Sequence, residues 1–211
     1  NFLHAIQNKV SKTVGIELDT SHAKFAKEEC NLEVYDTSID KIELLTHSFD
    51  VIFMFQVFEH LTKPLDMLSY CKKFLKSNGV LYLEIPNVND ALLSIYNLQT
   101  YSEFYFRAPH PYYYSEDTIK RMLEKGGFKG ETKTAQDYTF FNHIHWLQDK
   151  KPQTTMTDGH SGLKWETNQL DKKECSVILE QWFREKNIEY KKILEKFGAG
   201  EHICFQGKPI I

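Results

Sequence analysis

The sequence predicts a doubly wound α/β fold: a mostly parallel sheet with helices on both faces, plus a mixed α+β extension that forms a C-terminal lid. Three observations carry this. Strand-type and helix-type patterns alternate through residue 87. The stretch "FDVIFMFQ" (49–56) is nearly continuous apolar chain, as strands are when both sheet faces are covered. After residue 90 the alternation gives way to an aromatic-rich, polar region with a different rhythm. The division expected is 1–95 for the cofactor-binding part and 96–211 for the lid, acceptor-binding and C-terminal part of the same domain.

Taken in order, "NFLHAIQNKV" places Phe2, Leu3, Ile6 and Val10 at helical spacing. Thr13 to Ile16 reads as a short buried strand ending in acids. "SHAKFAKEE" reads as a helix, with Ser21 as a candidate cap. "NLEVYD" is another short strand. "PLDMLSYCKKFLKSNG" is an amphipathic helix with Leu65, Leu68, Cys71 and Leu75 on one face, and with Pro64 and Gly79 at its ends. "VLYLEIPN" is the next buried strand, stopped by Pro86. "ALLSIYNLQTYSEFYFRAPHPYYYS" reads as loop. "SEDTIKRMLEKGGF" is a helix capped by Ser115 and ended by a glycine pair. "TAQDYTFFNHIHWL" is read as a strand, and "KKPQTTMTDGHSGLKWETN" as a long polar loop. "CSVILEQWFREKNIEYKKILEKFG" is the longest helical pattern, with Leu179, Trp182, Phe183, Tyr190, Ile193, Leu194 and Phe197 on one broad face. "EHICFQGKP" closes the chain as a strand.

Composition narrows the function. The 211 residues are 41% hydrophobic and 26% charged, which is globular usage, and the formal net charge is −3. That balance disfavours a nucleic-acid partner. No run reaches the ~18 apolar residues of a membrane span, and the start lacks the features of a signal peptide. Cys30, Cys71, Cys175 and Cys204 show no CxxC spacing, so reduced thiols in a cytoplasmic protein are expected. His143 and His145 would share one strand face, as metal ligands can, but no third ligand accompanies them; no metal is expected.

In open α/β sheets, ligands bind outside the carboxyl ends of the strands. Three such ends carry polar residues: Glu17 and Asp19, then Gln56 with Glu59-His60, then Pro86-Asn87. "VGIELDTSHAKFAKE", "FDVIFMFQVFEHLTKPLDML", "LKSNGVLYLEIPN" and "HPYYYSEDTIKRMLEKGGF" follow one another in the order and spacing of the class I S-adenosylmethionine-dependent methyltransferases, which have a Rossmann-like fold. The sequence resembles that family over residues 1 to about 130. The family's first strand and its E-x-G-x-G-x-G loop would precede "NFLHAIQNKV" and are absent, so the chain reads as a fragment or a shortened version.

The resemblance implies S-adenosyl-L-methionine as cofactor, with S-adenosylhomocysteine as product. Glu17 matches the ribose-binding acid; its plain alternative is a solvated or capping carboxylate. Asp19 reads as a helix cap. Leu18 would lie against adenine, and Ser38 and Ile39 occupy the adenine-edge region. Phe55 and Gln56 should face the sulfonium and amino-acid part of the cofactor, with core packing the alternative for Phe55. His60 is the candidate base and His110 the second catalytic candidate; a structural Glu–His hydrogen-bonding pair is the competing reading. Glu59, Asn87, Arg107, Tyr112, Tyr113 and Tyr114 are the candidate acceptor-binding residues, with ordinary lid packing the alternative for the tyrosines.

The expected activity is methyl transfer to O or N of a small molecule, with a saccharide or cell-surface precursor as the acceptor class. A homodimer is the expected assembly, and the Lys-, Ile-, Phe- and Asn-rich composition suggests a bacterial source. The alternative is a non-catalytic methyltransferase-like module that binds a partner through the helix carrying Trp182 and Phe183. A dehydrogenase fits the Glu-His and Pro-Asn endings poorly.

Overall fold

The computed structural model describes residues 2–155, 159–160 and 172–210. Its elements are α1 (Phe2–Ile6), β1 (Gly15–Ile16), α2 (Thr20–Glu28), β2 (Val34–Tyr35), β3 (Phe49–Phe55), α3 (Pro64–Phe74), β4 (Leu75–Pro86), α4 (Ala91–Ser94), α5 (Gln99–Tyr105), α6 (Glu116–Lys125), β5 (Phe128–Ala135), α7 (Phe140–Asp149), α8 (Lys173–Lys196) and β6 (His202–Pro209). Short 3-10 turns cover Ile39–Lys41 and Phe58–His60. The α/β class and the alternation through residue 87 are as expected.

The strands form two sheets. β1 and β2 pair in parallel, and β3-β4-β6-β5 form the larger sheet. Within it β3 and β4 are parallel, whereas β6 runs antiparallel to both β4 and β5. No strand joins β1 to β3 among the described residues. Helix α1 touches both sheets: Phe2 packs edge-on against Phe53 and Phe55 at 4.8 and 5.0 Å, and Leu3 joins Ala23, Leu32 and Val34 in a small core over β1–β2.

The main core lies on one face of the larger sheet. Leu81, Leu83 and Ile85 alternate inward along β4 and meet Leu68 and Cys71 of α3, Ile119 and Leu123 of α6, and Phe128, Ile203 and Phe205. Each such side chain is essentially inaccessible to solvent, which is worth about 1.5–3 kcal/mol for a large aliphatic or aromatic group. The opposite face shows Val51, Phe53 and Phe55, all more than a third exposed.

Several local expectations need correction. Helix α3 stops at Phe74, and Leu75 is already the first residue of β4, paired with Phe49. Pairing to β3 overrides the helical spacing that placed Leu75 on the helix face. The region read as loop contains α4 and α5; Asp90 caps α4 through Leu92 N–H. Residues 140–149 form a helix and not a strand, started by Thr139, whose hydroxyl accepts from Asn142 N–H. The strand expected there ends earlier, at Ala135. In a helix His143 and His145 point apart: His143 is buried and meets Tyr190 and Gln136, and His145 pairs with Asp149 at 2.8 Å.

Asp19, not Ser21, is the N-cap of α2, accepting from the Ser21 and His22 N–H groups at 2.9 Å. The face expected along α8 is mostly open. Leu179, Trp182, Ile193 and Phe197 are exposed, and Leu194 is its one fully buried residue among those described. The polar loop expected over 150–168 lies largely outside the described residues. No described helix is long and apolar enough to cross a membrane.

Candidate functional site at the carboxyl ends of the strands

Glu17 follows β1, and its Oε1 accepts from Asp19 N–H at 2.9 Å. That bond tightens the turn into α2 and engages one carboxylate oxygen. Leu18 beside it is 66% exposed, a high value for a leucine at a strand end. Phe55, the last residue of β3, and Val57 just after it are also exposed. Ser38 and Ile39 open the 3-10 turn after β2, and Ser38 makes no capping bond with its side chain. An acid with a second oxygen to offer, followed by an open leucine, fits an adenosine: hydroxyls for the carboxylate and a flat ring for the hydrocarbon.

Gln56 turns the chain out of β3 with φ of 52°, in the left-handed region that costs a non-glycine residue about 1 kcal/mol or more. Its N–H donates to Glu84 O at 2.8 Å. Its side-chain amide reaches Glu84 at 3.4 Å and His202 Nδ1 at 3.2 Å. These bonds hold the strained turn and aim the next residues, Phe58–His60, across the sheet end.

Glu59 is buried, 2% exposed, and its Oε2 has no hydrogen-bond partner. Burial raises its carboxyl above the ordinary range, against its own backbone N–H and the nearby His60 and His202. His60 is half-exposed; its Nε2 lies 3.8 Å from Glu59 Oε1, and its Nδ1 lies 2.9 Å from Pro109 O. Its ring meets the His110 ring edge-on at 4.6 Å. His110 has a buried Nδ1 without a partner, and burial, followed by His60 and Arg107, lowers its basicity. The structure thus brings together Glu59, His60 and His110 from two distant stretches of sequence.

The other acceptor candidates behave differently. Tyr114 is buried against Phe58, with its hydroxyl unpartnered and pushed up to about 12, mainly by burial. Tyr112 stacks on Tyr114 and is 38% exposed. Tyr113 accepts from Arg107 N–H at 2.7 Å and lies within hydrogen-bond distance of the Tyr105 and Arg107 carbonyls, so it shapes the 105–107 turn. The Arg107 guanidinium sits over the Phe104 ring at 5.2 Å. Asn87 does not line an open pocket. It is fully buried, its amide donates to Gly198 O and Gly200 O at 3.0 and 2.7 Å, and its Oδ1 accepts from Asn89 N–H. Its role is to pin the chain entering β6 against the end of β4.

Sequence reasoning missed a second polar cluster beside this one. Glu201 and His202, at the start of β6, lie 2.9 Å apart. Burial opposes charge on His202, but Glu201, Glu84 and Asp137 outweigh it and raise the imidazole above its ordinary value. Asp90 is buried beside a cavity of about 120 Å³ that Tyr101, Trp146, His143 and Glu201 also line. Burial lifts its carboxyl to about 6, against bonds from Leu92 N–H and the Tyr101 hydroxyl. The signal was present: "EH" occurs at 201–202 as it does at 59–60.

Comparisons with known proteins bear on the fold and the family. The profile of a methyltransferase domain family matches residues 1–133. No curated protein matches the chain. Among solved structures, a SAM-dependent methyltransferase from Archaeoglobus fulgidus superposes with a TM-score of 0.58 at 17% identity, covering 98% of this chain and 80% of that one. A putative methyltransferase from Bacillus halodurans gives 0.57 at 14% identity, covering 99% and 87%. A SAM-dependent methyltransferase from Thermotoga maritima, described as a possible histamine N-methyltransferase, gives 0.56 at 18% identity, covering 97% and 75%. These likenesses carry the fold, and the family match carries the membership. The chain belongs to the class I S-adenosylmethionine-dependent methyltransferases, and S-adenosyl-L-methionine is the cofactor of that family.

Proposed function

From that membership we propose that this chain transfers a methyl group to oxygen or nitrogen of a small molecule. The supporting observation is that Glu17 and Leu18 follow β1, while Phe55 ends β3 and the turn after it carries Glu59 and His60 to His110. Glu17 holds the ribose hydroxyls, Leu18 with Ser38 and Ile39 borders the adenine, and Phe55 and Gln56 border the amino-acid part. The bound cofactor supplies an activated, electrophilic methyl group, so orientation provides most of the rate and can contribute about 7–11 kcal/mol.

In this reading His60 and His110 are the groups that receive an acceptor's proton when no metal ion holds them. His110, poorly basic because it is buried, is neutral at pH 7 and able to take a proton. Residues 96–211 form the acceptor side, with Tyr112 and Arg107 at its exposed rim. A saccharide or cell-surface precursor is the acceptor class in this reading, and a bacterial, cytoplasmic homodimer is its setting. The exposed apolar side chains of α8, Val177, Leu179 and Trp182 among them, support partner binding as the second reading.

Calorimetric titration with S-adenosylhomocysteine tests the proposal. The expected result is binding by this chain that Glu17→Ala weakens by at least about tenfold, the loss of roughly one charged hydrogen bond. Failure to bind both by this chain and by a version extended upstream through the glycine loop removes the donor site and leaves partner binding as the reading.

A further inference from the structure

Six described side chains bury a polar atom without a partner, and four of them belong to Glu59, His110, Tyr105 and Tyr114. Glu59 interacts electrostatically with both tyrosines, and His110 touches His60. Buried polar groups are nearly always satisfied, so several unsatisfied ones around one point indicate a ligand. The candidates must come from what the cluster offers. It offers a carboxylate and two imidazoles.

One ligand atom each from Glu59, His60 and His110 lies within 4.8 Å of the others. A carbonyl oxygen can only accept, so the 2.9 Å contact between His60 Nδ1 and Pro109 O places the ring proton on Nδ1. The lone pair of His60 is then on Nε2, on the side of Glu59. This outer hydrogen bond to a backbone carbonyl is the one that metal-binding histidines use to fix their tautomer. The half-exposed His60 ring also leaves an entry path.

We propose that Glu59, His60 and His110 form a binding site for a divalent first-row transition-metal ion. Two imidazoles and one carboxylate match that class of ion, and three protein ligands leave positions open. Around one ion at about 2.0–2.2 Å the ligand atoms stand about 3–3.5 Å apart, so side-chain movements of about 1 Å complete the site. Its role rests on the methyltransferase reading: with an ion bound, His60 and His110 would serve as ligands instead of bases, and an open position would take the oxygen of a hydroxyl-bearing acceptor and lower that hydroxyl's pKa, its proton passing to solvent.

The second cluster, Asp137, Glu201 and His202, has its ligand atoms equally close. There the carboxylate of Glu201 already accepts from the Gln136 side chain and from the Asp137 and Tyr138 N–H groups, besides meeting His202. It has no unsatisfied atom to offer.

The test is calorimetric titration of the full chain with Zn²⁺, without methyl donor, and visible absorption with Co²⁺ as a report of the ligand set. Glu59→Gln, His110→Ala and His60→Ala are compared with His202→Ala, each checked for folding by thermal melting. His60 is exposed enough that its replacement leaves the core untouched. The expected result is one ion per chain, with affinity falling at least about tenfold in each of the three variants and unchanged in His202→Ala; even outer partners of a metal cause losses of about that size. Absence of binding by the unmodified chain, or binding that His60→Ala and Glu59→Gln leave intact, overturns the site. Because no donor is present, that failure is separate from failure to bind S-adenosylhomocysteine.

Discussion

The dipeptide Glu-His occurs twice at the same end of the larger sheet, and the two copies differ in how folding satisfies their carboxylates. Glu201 is a clamp: its oxygens receive the Gln136 side chain and two backbone N–H groups, and His202 lies at 2.9 Å. Glu59 is equally buried, yet one oxygen has no partner and its neighbouring histidine stands 3.8 Å away, half-exposed. A carboxylate that folding has fully satisfied serves the fold. A carboxylate that folding has buried and left unsatisfied costs stability, and such a cost is expected where a ligand will meet it.

The largest expected effect breaks this contrast if it fails. Glu201→Gln places an amide among donors and should cost about 3 kcal/mol, read from urea unfolding. Glu59→Gln removes a charge that burial disfavours and should change stability by less than about 1 kcal/mol, or increase it. Equal losses would erase the distinction between the two sites.

The Glu201 side also carries the pH sensitivity. His143, whose Nε2 meets Gln136 at 3.4 Å, is lowered by burial to about 4. A base depressed in the folded state contributes stability that is present above about 6.5 and is lost as pH falls toward 4, here about 3 kcal/mol. Asp90 works in the opposite sense. With its folded pKa near 6, its contribution is fully present below about 4 and is lost as pH rises through 6. The slope of stability against pH should therefore lose its acid-side fall in His143→Gln and its rise-linked loss in Asp90→Asn. Urea midpoints from pH 4 to 8 measure both, and unchanged slopes would contradict the burial assigned to these groups.

The smallest effect concerns the residue that joins the two clusters. Gln56→Gly relieves the left-handed backbone but removes the amide contacts to Glu84 and His202. The two nearly cancel, and the melting temperature should reflect a net change within about 1 kcal/mol. A large loss would mean that the amide contacts outweigh the strain.

Much of this molecule was legible in its sequence, and the exceptions have a common cause. The strands at β3 and β4, the capped helix α6, the closing strand β6 and the polar strand ends follow from local patterns of two and 3.6 residues. The Glu59–His60 pair was legible because it interrupts an apolar run. Leu75 was misplaced because its helical spacing is real but its pairing to Phe49 is stronger. Helix α7 was missed because its aromatic residues resemble a strand until Thr139 is seen to cap it. The Glu201 network was missed because it assembles from β6, the 136–138 turn and α8, which no local pattern connects. Asn87 was read as an acceptor residue because its position is a strand end; only the Gly198 and Gly200 carbonyls show that its amide is already committed.

The most direct measurement is backbone hydrogen exchange with and without S-adenosylhomocysteine. Protection concentrated at residues 15–19 and 55–60, with the 136–138 and 201–203 segments unchanged, is the predicted result. Protection at 136–138 and 201–203 alone, or at none of these segments, would contradict the placement of the donor site at the ends of β1 and β3.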